Sequence, residues 1–257
     1  MYIVGPDGTP YGFTNDHGPE DINRFMNLAL ARYRAHPPRP VTISDADKRA
    51  SFSITPPATA SVIQSFARIP NPPGTCSLLN KGTGRDFVWI YAGEVADLLA
   101  VGDAAATAGK AEYPLTTTVA RRIARFHLVD SVRGTPNMWE AGEVRSCAFT
   151  ARTVGQTGTV RRVAFTGPFA MATASGRRAY HGALTGEIDL NRATKTVTRF
   201  RAYADGKAQG AGTYTPNEPP GTYRLVIGFK EADNAFARIV PPEEVATYNR
   251  DTRYRQP

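Results

Sequence analysis

The sequence predicts an α+β protein, a mainly antiparallel β-sheet domain with a few helices, preceded by a small hairpin-and-helix piece. Three observations carry that expectation. Apolar and polar residues alternate through 184–190, 197–204 and 223–229, the period of strands with one buried face. A stripe of helical spacing runs through Leu115, Val119, Ile123, Phe126 and Val129. Twenty prolines and 23 glycines supply frequent turns, while 41% hydrophobic and 21% charged residues over 257 positions suffice for a folded core.

Taken in order, Tyr2-Ile3-Val4 reads as a strand, Gly5-Pro6-Asp7-Gly8 as a tight turn, and Tyr11-Gly12-Phe13 as the returning strand. Pro19 suits a first helical turn, with Glu20 and Asp21 complementing the dipole there. Ile22, Phe25, Met26, Leu28, Ala29 and Tyr33 then recur at helical spacing until Pro37-Pro38 stops the helix. A hairpin and one helix cannot enclose a core by themselves. We therefore divide the chain into 1–36, a linker at 37–48 and a β-rich α+β domain at 49–257.

In the large domain, strands are expected near Arg49 to Ile54, Val62 to Ile69 and Asp86 to Tyr91, a short helix at Gly93 to Val101 and a small-residue loop at Ala104 to Gly109. The striped helix should run from about Pro114 to Val129. Arg122 lies beside its stripe and so needs an anionic partner or a route to solvent. From Glu143 the period becomes alternating. Strands follow at Arg145 to Val154, Val160 to Thr166, 184–190 and Thr196 to Ala204, the last two joined by a turn at Asn191 to Lys195. Phe200, Ala202 and Ala204 face inward, with Val197, Arg199, Arg201 and Tyr203 opposite. Glu187 and Asp189 are positioned to pair with Arg199 and Arg201 across the strands. With 223–229 the sheet has at least five strands, curved or half of a sandwich. Trp89 is expected in the core, Trp139 in a turn packed on the sheet, and the end of the chain in a short helix or tail.

The net charge of +8 is concentrated, because Arg145 to Lys207 holds eleven Lys and Arg against Glu187, Asp189 and Asp205. These arginines are scattered along alternating strands without stacking aromatics between them. A solvated basic face that can meet an acidic polymer or a protein partner fits better than specific nucleic-acid binding. No apolar run approaches the roughly 18 residues of a membrane span. Met1 to Pro6 lacks the regions of a signal peptide, so a soluble chain without an export address is expected. Cys76 and Cys147 form no CxxC or Cys/His set, which disfavours structural zinc. One disulfide stays open, although Cys147 shares the apolar side of Phe149 and Ala151 and reads as a buried thiol. Asp16, His17 and Asp21 are the first place to look for an opportunistic metal, yet no metal or cofactor is expected.

Arg121 to Gly134 gathers the densest set of ionisable groups. His127 and Asp130 are three apart at a helix end, where a carboxylate would raise the imidazole and fix its tautomer, as a general base requires. The same residues, with Arg133, also satisfy the last carbonyls and oppose the negative pole of the helix, and that structural role weighs more. His181 starts a strand and would join the site only if the fold brought it near. No Gly-x-Ser-x-Gly is present. Gly206, Gly210 and Gly212 follow a strand, but Pro216, Pro219 and Pro220 prevent a following helix, so no nucleotide loop is expected.

Two resemblances add to this. The run from Tyr2 through Phe13 and the helix ending near Tyr33 is similar to the last two strands and terminal helix of thioredoxin-like domains; the preceding strands and dithiol are absent, so no thioredoxin activity carries over. The block Arg125 to Asp130 with Arg133, Gly134 and Trp139 resembles a group of uncharacterised planctomycete-type bacterial proteins. Gly182, Leu184, Gly186, Asp189 and Phe200 match further on, as do Gly210, Gly212 and Thr213 to Thr215. In that group a thioredoxin-like unit precedes a β-rich region, and a His-Trp pair often stands where this chain has Ala208 and Gln209. The resemblance implies that 1–36 is the C-terminal part of a thioredoxin-like unit, that Met1 is a late start or a truncation, and that the protein works outside the cytoplasm. The function expected is a non-catalytic binding or structural module of an extracytoplasmic bacterial protein. The alternative is a hydrolase-like or acid/base enzyme using His127 and Asp130, with Arg133 and His181 as further candidates.

Overall fold

The computed structural model describes residues 1–16, 18–42, 44, 55–72, 74, 78–115, 117–232, 234–245 and 247. The chain divides into two compact units, Met1–Phe52 and Ser53–Pro257. The boundary falls a few residues beyond the expected linker. The strand expected at Arg49 to Ile54, together with His17 and Cys76, lies outside the described residues.

In the first unit, β1 (Tyr2–Val4) pairs antiparallel with β2 (Pro10–Phe13), Tyr2 opposite Phe13. Gly8 at φ 82° completes the turn, a conformation that glycine adopts without a Cβ clash. Helix α1 (Pro19–Ala35) opens with proline, carries Glu20 and Asp21 in its first turn, and ends with Arg32 and Arg34. It lies close on the hairpin at Gly12, where an added Cβ would stand 2.6 Å from the Phe25 ring. The Tyr11 hydroxyl donates to the His36 carbonyl at 2.8 Å and Arg32 donates to the Tyr11 carbonyl at 3.0 Å. Among the described residues of this unit only Tyr11 and Ala29 are buried apolar side chains, whereas Tyr2, Phe13, Met26 and Leu28 are exposed.

The second unit is built on a nine-stranded antiparallel sheet. Its strands are β3 (Ser61–Arg68), β4 (Gly84–Ile90), β5 (Tyr113–Pro114), β6 (Val144–Cys147), β7 (Thr150–Thr157), β8 (Val160–Ala172), β9 (Ala179–Asn191), β10 (Thr196–Gln209) and β11 (Thr222–Glu231). The order is β4-β3-β11-β10-β9-β8-β7-β5, with β6 pairing the far end of β8. Helices α2 (Ala92–Thr107) and α3 (Thr117–His127) contribute to the main core against the inward side of the sheet. A second cluster, with Val62, Phe87 and Trp89, lies on the other side of β3 and β4 and takes in Ala237 from the short helix α4 (Ala235–Ile239). Trp89 is thus buried, as expected, but in this smaller cluster.

Several boundaries differ from the sequence expectation for identifiable reasons. Helix α2 continues through Ala104–Ala106, because alanine favours the helix over the loop that small residues suggested. It closes at Gly109, φ 65°, where Gly109 and Lys110 donate to the carbonyls of Ala106 and Ala105. Tyr113–Pro114 is not helical but pairs with β7, so α3 begins at Thr117. Strand β10 extends to Gln209, which places Gly206 inside the sheet opposite Gly182 and leaves no glycine loop before a helix. Cys147 is a free, half-buried thiol whose pKa is raised by burial.

The β9–β10 hairpin follows the predicted alternation except at Val197, expected outward, which an irregularity in the register between Val197 and Arg199 turns into the core. Leu184, Ile188, Phe200, Ala202 and Ala204 are buried, and Asn191 organises the turn by accepting the N–H groups of Ala193 and Thr194. Only part of the expected pairing forms: Glu187 bonds Arg199, diagonal to it on β10, at 3.0 Å, whereas Asp189 takes a bidentate Arg162 directly opposite on β8 and Arg201 reaches Glu231 on β11.

Candidate functional site

The predicted cluster at the end of α3 resolves into two separate structural locks. His127 is 2% exposed, and its Nδ1 lies 3.0 Å from Asp86 Oδ2 of β4. Burial pushes the imidazole below its ordinary 6.5, and the Asp86 carboxylate offsets this only in part. His127 is therefore a neutral ring held by Asp86, not by Asp130. Asp130 falls after the last helical residue, so the spacing that brings residues three apart together on a helix does not apply to it.

Asp130 instead accepts from the Val132 N–H at 3.0 Å, the Tyr223 hydroxyl at 2.8 Å and Arg133 Nη2 at 2.9 Å. Arg133, 6% exposed, also donates to the Thr215 carbonyl and to Asn80 Oδ1. Burial and then the adjacent Asp130 carboxylate push the Tyr223 phenol well up, so it remains a hydrogen-bond donor at neutral pH. Together these residues tie β11, the segment after β10 and the chain following α3 into one satisfied network. The cavity beside it measures about 20 Å³, room for about one water molecule.

Trp139 closes the helix end. Its Nε1 donates to the Leu128 carbonyl at 2.8 Å, Arg125 donates to the Trp139 carbonyl at 2.8 Å, and the Arg178 guanidinium sits 3.9 Å above the indole. The side chain that sequence assigned to a turn on the sheet is a cap on α3. His181 is exposed on β9, opposite Lys207 and Ala170 in the register. It borders neither the His127–Asp86 pair nor the Asp130 network. Among the described residues no three His, Cys, Asp or Glu side chains are grouped to hold a metal.

A wider depression lies elsewhere among the described residues, on the outward face of β7 to β10, with a volume of about 770 Å³. It is built by register. Thr150, Thr166, Thr185 and Tyr203 align across four adjacent strands as one wall, and Arg152, Ala164, Glu187 and Arg201 align as the other. Between the rows lie Ala151, Phe165, Gly186 and Ala202; the side chains of Ala151, Phe165 and Ala202 are buried on the opposite face, so the floor is backbone. At about 4.8 Å per strand the groove spans roughly 14 Å. Thr166 and Thr185 share a hydrogen bond of 2.8 Å, and Tyr203 is 53% exposed. Glu112, from the segment after α2, completes the lining.

The groove is lined by hydroxyls, two arginines and two glutamates, groups suited to hydrogen bonding, and its described lining contains no Ser, Cys or His. Searches against family models, curated proteins and solved structures find no match. The geometry therefore carries the functional reading. The alternation in the sequence put Thr185, Glu187, Arg201 and Tyr203 on one face. Only the registers in which β7 pairs with β8 and β8 with β9 reveal that they make two walls.

Among the described residues no helix is long and apolar enough to cross a membrane.

Proposed function

We propose that the unit Ser53–Pro257 is a non-catalytic binding module whose ligand seat is the transverse groove of β7 to β10. One observation carries this reading: the ionisable groups suited to acid/base chemistry, His127 and Asp130, are committed to Asp86 and to Tyr223 with Arg133, away from the groove. The alternative, an acid/base enzyme using His127 and Asp130, lacks a shared substrate position for the two. An extracytoplasmic setting for such a module rests on the resemblance of its Arg125–Asp130 and Gly210–Thr215 blocks.

The test is to screen the whole chain against polysaccharide, peptide and polyanion ligands by calorimetry, and in parallel against ester, glycoside and phosphate substrates for turnover. The expected result is saturable, stoichiometric binding with no turnover. Hydrolysis that disappears in His127→Gln while its melting temperature is retained would overturn the proposal.

A further inference from the structure

We infer that the groove of β7 to β10 takes an uncharged oligosaccharide; this rests on the binding-module reading and names its ligand class. The chain carries +8, yet the groove balances Arg152 and Arg201 against Glu112 and Glu187. Arg201 and Glu187 are moreover neutralised by Glu231 and Arg199. The groove thus has no field of one sign with which to select a polyanion.

A sugar hydroxyl donates and accepts at once, and the wall of Thr150, Thr166, Thr185 and Tyr203 offers hydroxyls with the same double capacity. Arg152 makes no hydrogen bond or ion pair to another described residue, so its donors are open to a ligand oxygen.

The Tyr203 ring stands half exposed, and its neighbour in the register on β11 is Gly228, where an added Cβ would meet nothing within 4 Å. Its face is an open platform of the kind on which the C–H face of a pyranose packs, with a polar handle at the rim. The floor excludes a peptide strand as occupant, since Ala151, Phe165, Gly186 and Ala202 are each paired with a strand on both sides and offer no free edge there for strand addition. A groove of roughly 14 Å is long enough for several linked rings rather than one.

The experiment is amide chemical-shift mapping on the full chain. Cellohexaose, xylohexaose, chitohexaose and maltohexaose serve as neutral probes, with oligogalacturonate and heparin fragments as charged ones. A neutral oligosaccharide is expected to shift the amides of Ala151, Phe165, Gly186 and Ala202, with an affinity that does not change between low and high salt. Tyr203→Ala is expected to weaken binding at least about tenfold, as loss of an aromatic anchor does. Thr185→Val, which keeps the ring and the fold, should weaken it less, and His181→Gln not at all. If only the charged probes shift these amides, the ligand class is wrong while the binding-module reading stands. If no probe shifts them, or if neutral probes bind elsewhere and ignore Tyr203→Ala, the inference fails; a groove silent to every probe also removes the support for the reading beneath it.

Discussion

Replacing Glu94 by glutamine removes the charge that neutralises Arg122 while keeping the size of the side chain. Arg122 has no exposed surface, and Glu94 is 12% exposed. The guanidinium donates through Nε to Oε1 at 2.8 Å and through Nη2 to Oε2 at 2.7 Å, and Nη2 also donates to the Trp89 carbonyl at 2.9 Å. Glu94 additionally accepts the Tyr91 N–H at 3.0 Å, closing the first turn of α2. Breaking one side of a buried ion pair costs about 3–5 kcal/mol, because the remaining charge stays out of water. In a unit of this size each kcal/mol moves the melting temperature by about 2–4 °C, so Glu94→Gln should lower it by about 10 °C. Replacing both partners, as Glu94→Leu with Arg122→Met, should recover most of the loss, since an apolar pair of similar volume needs no charge balance. Urea denaturation monitored by circular dichroism measures both variants. A single variant within about 1 kcal/mol of the parent, or a double variant no better than the single, would refute the assignment of this pair as a buried lock.

His127 predicts a pH dependence. Its folded pKa lies below 6.5, so the unfolded chain binds the proton more readily. The histidine's contribution is complete above about 6.5 and declines as pH falls from there toward the folded value. Denaturation midpoints between pH 7 and 5 should therefore slope less in His127→Gln than in the parent, and equal slopes would contradict the buried, neutral ring. Trp139→Phe keeps an aromatic ring beneath Arg178 but removes the donor to the Leu128 carbonyl, and should cost about 1–2 kcal/mol in urea denaturation. An unchanged midpoint would mean that the indole N–H does not secure the helix end.

Much of the sheet was legible because alternation is a local signal. Residues 184–190 and Thr196 to Ala204 state their buried and exposed faces directly, and Asn191 to Lys195 supplies the turn between them. Arg122 was legible as a problem, a guanidinium at the margin of an apolar stripe. Its solution, Glu94, was not, because the partner comes from another helix 28 residues away. The same limit governs the candidate site. Helical spacing suggested Asp130 as the partner of His127, whereas the fold brings in Asp86 from β4, 41 residues upstream. The chain stops being helical at His127, and no periodic pattern marks that end, since Leu128 and Val129 continue the apolar stripe and are buried all the same. The two-residue strand β5 was hidden for a related reason, its single proline reading as the start of a helix. The groove depends on which strands are neighbours and in what register, a property of the whole sheet.

The most direct test sets the groove against the predicted acid/base cluster by isothermal titration of the best-binding ligand into the parent, Tyr203→Ala, His127→Gln and His181→Gln, each checked for a retained melting transition. Tyr203→Ala should weaken binding by about tenfold or more, while both histidine variants stay within about twofold of the parent. Affinity that survives Tyr203→Ala and disappears with a folded His127→Gln would place the function at the end of α3 and contradict the account.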